Sequence, residues 1–242
     1  MSGPRELTSR NTHAVVARLL QAGPPCHAVL DIPCGEGAFL ERLQAMGVEQ
    51  RHGADIVNRL TLPGARFTAA DMNAPLPFRD GAFDAVVCID GIEHLERPFD
   101  FVRECRRLVR PGGVLIVSTP NISALRSRLR WLLTGFHNKG KVPLNERDPN
   151  PWHHVNLLSF AALRYLLHRH DFRITAVATN RVKLVSWLYL PLWPVSALAM
   201  ALAFRRWEKD PQQRQRNREI CAQMLAPAIA FGETMIVKAT RV

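Results

Sequence analysis

Short apolar runs alternate along this chain with longer amphipathic stretches, and glycine, proline or aspartate stands at most of the changeovers. Residues 7–22 place apolar side chains at helical spacing and stop at Gly23-Pro24-Pro25, which predicts a helix with a breaker behind it. The run from His27 to Ile32 (HAVLDI) predicts a strand. It ends in Pro33-Cys34-Gly35-Glu36-Gly37, after which Ala38 to Met46 resume the helical period with Gly47 as C-cap. Further strands are predicted over 51–56, 65–70, 82–89 and 114–118, the last entered by a turn at Arg110-Pro111-Gly112-Gly113, and a helix is predicted over 100–109. A helix over 159–170, with Ser159 as N-cap, and two more strands at 172–178 and 234–240 complete the pattern. Strands alternating with helices imply a doubly wound, mostly parallel seven-stranded α/β sheet, Rossmann-like, with a ligand crevice at the carboxyl ends of the strands.

One segment breaks the alternation. Leu184 to Phe204 is 21 residues without a charge, flanked by Arg181, Lys183, Arg205 and Arg206. It is long enough to cross a bilayer. A single crossing between two strands of one sheet would leave the last strand on the wrong side, and a hairpin would need about twice the apolar length. Pro191 and Pro194 also break a straight helix near its middle. We therefore expect one or two short helices lying on one leaflet, with Trp187, Tyr189 and Trp193 at the interface. A buried helical cap or a homodimer face is the alternative. The chain then divides into a core at 1–180 with a lid at about 121–158, an apolar and basic helical insertion at 181–232, and a final core strand at 233–242.

Charge sharpens this division. Of the net +11, residues 1–120 carry 13 Lys and Arg against 14 Asp and Glu, whereas residues 121–242 carry 19 against 7. A basic half of this kind suits a polyanion, either an anionic membrane surface or nucleic acid. The aromatic residues cluster in the apolar segment and not among the arginines, which disfavours a single-strand stacking platform. Met1 to Arg10 contain no apolar run, so neither a secretory signal nor a transit peptide is apparent, and a cytoplasmic place, peripheral on the inner membrane, is expected. Five cysteines without a C-x-x-C pair argue against a zinc knuckle or a disulfide framework.

The first glycine turn carries the chemistry. Asp31 closes the first strand, where a carboxylate repels a pyrophosphate but attracts an α-amino group. A nucleoside sulfonium without phosphates thus fits Leu30 to Gly37 better than a dinucleotide does. Gly35 and Gly37 admit the close approach of a ligand. Asp55 ends the second strand, where an acid in such folds accepts from both ribose hydroxyls. Asp71-Met72 follows the third strand, placed to accept from an adenine amino group and to pack on the ring. Each acid alone could be a turn or cap residue, but three at the ends of successive strands form a set.

From Leu30 to Asn121 the chain resembles the class I S-adenosylmethionine-dependent methyltransferases, in the runs LDIPCGEG, GADI, AADMNAPLPFRDGAFDAVVCIDGIEHL and LVRPGGVLIVSTPN. The resemblance covers about the first half. It departs at Pro33, where the family often has Gly, and altered turn detail is expected there. The resemblance implies S-adenosylmethionine as cofactor, S-adenosylhomocysteine as product, and contacts from Asp31, Cys34, Gly35, Gly37, Asp55, Ile56, Asp71, Met72, Ile89 and Asp90. A short-chain reductase would need Tyr-x-x-x-Lys, but Tyr165 and Tyr189 are followed at that spacing by Arg169 and Trp193.

Transfer to a hydroxyl needs a nucleophile in line with the sulfonium methyl and a base for its proton. Glu93-His94 follows the fourth strand, and Trp152-His153-His154 lies beyond the fifth. The resemblance places an acid-histidine pair like Glu93-His94 at the acceptor side of many O-methyltransferases, including those of ubiquinone biosynthesis. His94 or His154 is the candidate general base, with a histidine that only tethers a loop as the alternative. Asp90, Glu93, His94 and one of His153 or His154 are also similar to the divalent-metal cluster of small-RNA 3′-end methyltransferases, although that family has Glu where Asp90 stands. The resulting expectation is an O-methyltransferase acting at a membrane surface on an amphiphilic acceptor: a lipid-linked sugar, an envelope glycolipid or a prenylated ring. An RNA ribose 2′-O-methyltransferase and a non-catalytic S-adenosylmethionine-binding regulator are the other readings.

Overall fold

The computed structural model describes residues 3–148 and 150–242, the side chains of 205–207 excepted, so the flanking Arg205 and Arg206 side chains lie outside the described residues. The elements run α1 (Thr12–Gln21), β1 (Ala28–Asp31), α2 (Ala38–Ala45), β2 (Gln50–Asp55), β3 (Arg66–Ala69), β4 (Phe83–Ile89), α3 (Pro98–Leu108), β5 (Val109–Pro120), α4 (Leu125–Thr134), α5 (Phe160–Arg169), β6 (Phe172–Thr179), α6 (Leu192–Trp207), α7 (Pro211–Leu225), α8 (Pro227–Ala230) and β7 (Thr234–Arg241). The seven strands form one sheet in the order β3-β2-β1-β4-β5-β7-β6. The first five are parallel, and β7 runs antiparallel to both β5 and β6. The direction of winding reverses between β1 and β4, which is where a crevice opens in such sheets.

Apolar periodicity places the core. All seven residues of β4 are buried, as a central parallel strand covered on both faces requires. On one face Leu30, Val86, Leu115 and Val237 meet Phe101, Phe160 and Leu163 from α3 and α5; on the other, Val29, Val87 and Ile116 meet Val16, Phe39 and Leu40 from α1 and α2. Pro98 opens α3, where its missing N–H costs no hydrogen bond, and Ser159 caps α5 by accepting from the Ala162 amide at 3.1 Å.

One expectation is corrected. The turn at Arg110–Gly113 is not a connection into a strand but a bulge within β5: Phe83 pairs with Val109 and Ala85 already with Val114. Its glycines meet a steric demand, since Gly112 has φ 75° and a Cβ on Gly113 would stand 2.6 Å from the Asp84 carbonyl. In the apolar segment the break falls at Pro191. Leu184–Tyr189 form a short 3₁₀ turn, Pro191 is the N-cap of α6 and Pro194 lies in its first turn. The charged stretch beyond it is helix α7, capped by Asp210, which accepts from the Gln212 amide. Among the described residues no helix is long and apolar enough to cross a membrane.

Candidate active site

At the carboxyl ends of β1 to β4 a cavity of about 420 Å³ opens, within the size range of about 300–1,000 Å³ usual for small-molecule sites. Of the sequence-predicted cofactor residues, Gly35, Asp55, Ile56, Asp71, Met72 and Asp90 line it, and so does His94. Asp55 is fixed at the end of β2 by two amides: the Gly35 N–H donates to Oδ2 at 3.0 Å and the Ile56 N–H to Oδ1 at 2.8 Å. The first turn and the second strand are thereby locked to each other. Gly35 takes the left-handed φ of 51° that this turn needs, and the Ile32–Pro33 bond is cis.

The remaining predicted residues are placed elsewhere. Asp31, Cys34 and Ile89 are buried behind the wall, and Gly37 lies outside it. Gly37 serves the fold: at φ 93° it starts α2, and a Cβ there would stand 2.4 Å from Leu60. Burial, and next to it the charge of Asp55, hold the Asp31 carboxyl well above the usual carboxylate range. The Cys34 thiol is pushed up by burial and by the same two acids.

Asp90 sits at the end of β4 in a left-handed conformation, φ 46°, that non-glycine residues seldom adopt. It is held there by Ser118 of β5, whose hydroxyl donates to Oδ1 at 2.7 Å, and by the Thr8 hydroxyl on its other oxygen. The next residue leaves no room, since a Cβ on Gly91 would meet Pro33 at 2.4 Å. Thr8, Leu7 and Gly91 were not among the predicted site residues. The doublet Asp90-Gly91 at a strand end was the one signal for the glycine, and nothing local marks Thr8 or Leu7.

Beyond Gly91 the chain turns back through a 3₁₀ turn, Ile92–His94. His94 Nδ1 lies 3.0 Å from the carbonyl oxygen of His153. A carbonyl can only accept, so Nδ1 carries a proton, and in the neutral form of the ring the lone pair is the one on Nε2. The rings of His94 and His154 are 4.9 Å apart. Trp152 packs edge-on to His94 and lies under the Arg59 guanidinium, 5.7 Å from its ring centre, and the loop 150–155 lines the cavity on that side.

Glu93, His94 and His154 each bring one ligand atom within 4.8 Å of the others. Asp90, expected as a member of that cluster, and His153, the alternative to His154, are not part of it: Asp90 is turned to Thr8 and Ser118, and His153 contributes its carbonyl. Glu93 is almost fully buried with Oε2 lacking a partner, and burial, followed by the charge of Asp90, pushes its pKa up to about 8. The His154 pKa is lowered, first by burial and then by the charges of His94 and Lys139.

The sequence pattern of the methyltransferase domain family matches residues 30–117, the span from β1 into β5 that builds these walls. This part of the chain is similar to methyltransferase domains. Ubiquinone biosynthesis O-methyltransferases are similar to it: that of Chromobacterium violaceum is 35% identical over 107 residues, 40% of this chain and 45% of the relative, and that of Roseobacter denitrificans 30% over 132 residues, 47% and 52%. The chain thus spans about half the length of the curated relatives it matches. Among solved structures, a SAM-dependent methyltransferase from Archaeoglobus fulgidus has a TM-score of 0.52 at 19% identity, covering 95% of each chain. A possible histamine N-methyltransferase from Thermotoga maritima has 0.58 at 15%, covering 96% of this chain and 90% of its own. The fold is that of the class I S-adenosylmethionine-dependent methyltransferases, and S-adenosylmethionine is the cofactor of that family.

Proposed function

We propose that the chain is an S-adenosylmethionine-dependent O-methyltransferase that works at a membrane surface on an amphiphilic acceptor. The observation that carries the oxygen acceptor is the His94–His153 contact, which leaves an unprotonated imidazole nitrogen at the cavity wall, where a hydroxyl proton has to go. The residues at the reversal point would hold the cofactor. Asp55 accepts from the ribose hydroxyls and Asp71 with Met72 receives the adenine. Asp90, held by Thr8 and Ser118, shapes the wall between cofactor and acceptor. His94 would take the proton of the acceptor hydroxyl, the bound cofactor would supply the methyl group, and the loop at Trp152 would cover the site. His154, beside His94, positions it.

As a second reading, in which His94 Nε2 is a ligand and not the base, the same cluster suits a divalent cation. Two imidazoles and a buried carboxylate with an unpartnered oxygen are the donor set such an ion takes, and Glu93, His94 and His154 would hold it. Bound there, it would polarise the acceptor oxygen.

The membrane surface is supported by the layer built from α4, the 3₁₀ turn and α6. Leu184 is 88% exposed and Leu188 77%, and Leu132, Leu133, Val195, Leu198 and Leu202 are exposed with them. Patches larger than about 300–600 Å² are seldom left bare on monomers.

Labelled methyl from S-adenosylmethionine should enter the lipid or lipid-linked glycan fraction of a host lysate. Label confined to RNA would replace this reading with ribose 2′-O-methylation, and no label in any fraction would replace it with a regulatory binding role.

A further inference from the structure

A second concavity, of about 170 Å³, lies between the start of α4, the loop at 138–141, the 3₁₀ turn and the approach to β7. That is more than ten times the roughly 10–15 Å³ a single water requires. Arg126, Lys139, Lys141 and Lys183 line it, against one carboxylate, Glu233. Glu233 is already served: Lys183 Nζ lies 2.6 Å and Lys139 Nζ 3.8 Å from its Oε1, and the Arg181 guanidinium holds Oε2. Arg126 and Lys141 have no carboxylate partner among the described residues. The pocket therefore holds more positive charge than its own acid neutralises.

Its neighbours on two sides say what kind of anion fits. Lys139 Nζ donates to the Ser9 hydroxyl at 3.1 Å, next in the chain to Thr8, which holds Asp90 at the larger cavity, so the pocket adjoins the chemical centre. On the other side Lys183 and Ser186 line it from the turn that carries the bare Leu184 and Leu188. We propose that this pocket is a subsite for the phosphate of the acceptor, whose hydrocarbon chain leaves along the apolar layer while the group to be methylated reaches toward His94. The inference rests on the amphiphilic-acceptor reading and narrows it. A prenyl phosphate or diphosphate carrying a sugar satisfies the pocket, and a prenylated ring without phosphate does not. A phosphate monoester carries a charge of about −1.5 to −2 at neutral pH, matching a pair of unpaired cations.

The test is equilibrium binding to the full chain of a C15 prenyl phosphate and of the C15 prenyl alcohol, beside affinity for S-adenosylhomocysteine. The wild type should prefer the phosphate at least tenfold. The double variant Arg126→Ala/Lys141→Ala should lose that preference while keeping its S-adenosylhomocysteine affinity, because neither residue is paired to an acid or touches the larger cavity; Lys141→Arg with Arg126 intact should keep the preference. Equal binding of phosphate and alcohol by the wild type, or a preference that survives in the double variant, overturns the subsite. Displacement of the prenyl phosphate by equimolar inorganic phosphate, or by vesicles of phosphatidylcholine with 20% phosphatidylglycerol, overturns the acceptor assignment in favour of a free-phosphate or headgroup site. No arm requires turnover. A failure of methyl transfer with the phosphate preference intact would thus count against the enzyme reading alone.

Discussion

Replacing His94 with Asn separates the base from the tether. The Asn amide nitrogen takes the place of Nδ1 and still offers a donor to the His153 carbonyl, 3.0 Å from the native ring nitrogen, so the loop keeps its anchor. The lone pair on Nε2 is what disappears. General bases contribute roughly 10²–10⁴ in rate. At about 1.36 kcal/mol per tenfold, the variant should lose about 2.7–5.5 kcal/mol of transition-state stabilisation. The tether contributes less, about 0.5–1.5 kcal/mol for an ordinary hydrogen bond. His94→Ala should therefore show the same fall in rate and, in addition, a weaker hold on S-adenosylhomocysteine as the loop loosens. Single-turnover transfer to the fraction labelled by the wild type measures the first effect and calorimetry the second. Turnover of His94→Asn within threefold of wild type would refute the assignment and leave His94 as a loop anchor only.

Asp55→Ala should abolish measurable binding of S-adenosylhomocysteine, because it removes both a ribose acceptor and the lock on Gly35 and Ile56; unchanged affinity in calorimetry would take Asp55 out of the site. Asn121→Ala should cost about 2–4 kcal/mol in urea unfolding, at about 1 kcal/mol per hydrogen bond plus the burial of unpaired groups. Its buried amide donates to the Ile229 and Gly232 carbonyls at 2.9 and 3.0 Å and accepts from the Ser123 amide, and a loss under 1 kcal/mol would show that these groups find other partners. His168 gives stability a pH dependence of known sign. Burial first, then the charges of Arg164, Arg173 and Arg216, lower its pKa to about 4, below the unfolded value of about 6.5. The unfolded chain thus binds the proton more readily, so stability is intact above about pH 6.5 and falls as the pH drops toward 4. His168→Gln should flatten the melting temperature across that window, and an unchanged slope would assign it to other groups.

The sequence made the first half of the fold readable because a parallel sheet buried on both faces needs continuous apolar runs, and β1, β4 and β5 have them. It was less informative where geometry rather than burial decides. The Pro111-Gly112-Gly113 string reads as a turn in either setting, and only the pairing of Val109 and Val114 with β4 shows it to be a bulge. Polar α7 has none of its residues buried, so no apolar stripe announced it. In the site, Asp55, Asp71 and Asp90 were legible because strand ends are fixed by the alternation itself. Thr8 was not, because its partner lies 82 positions away, and neither was the tautomer of His94, which depends on a backbone carbonyl that no side-chain pattern encodes. Asp31 and Gly37 were recognisable as important, but the sequence does not tell a wall residue from one packed behind it.

Strand β7 lies between β5 and β6, although it follows both in the chain. A ribosome therefore releases the whole of the apolar layer, α6 included, before the strand that joins the two halves of the sheet exists. Until then β5 and β6 have no common neighbour, and their facing edges offer unpaired backbone groups. The layer is thus exposed while the sheet behind it is still open. The order of synthesis alone lets contacts of Leu184 to Leu202 form before the sheet is complete.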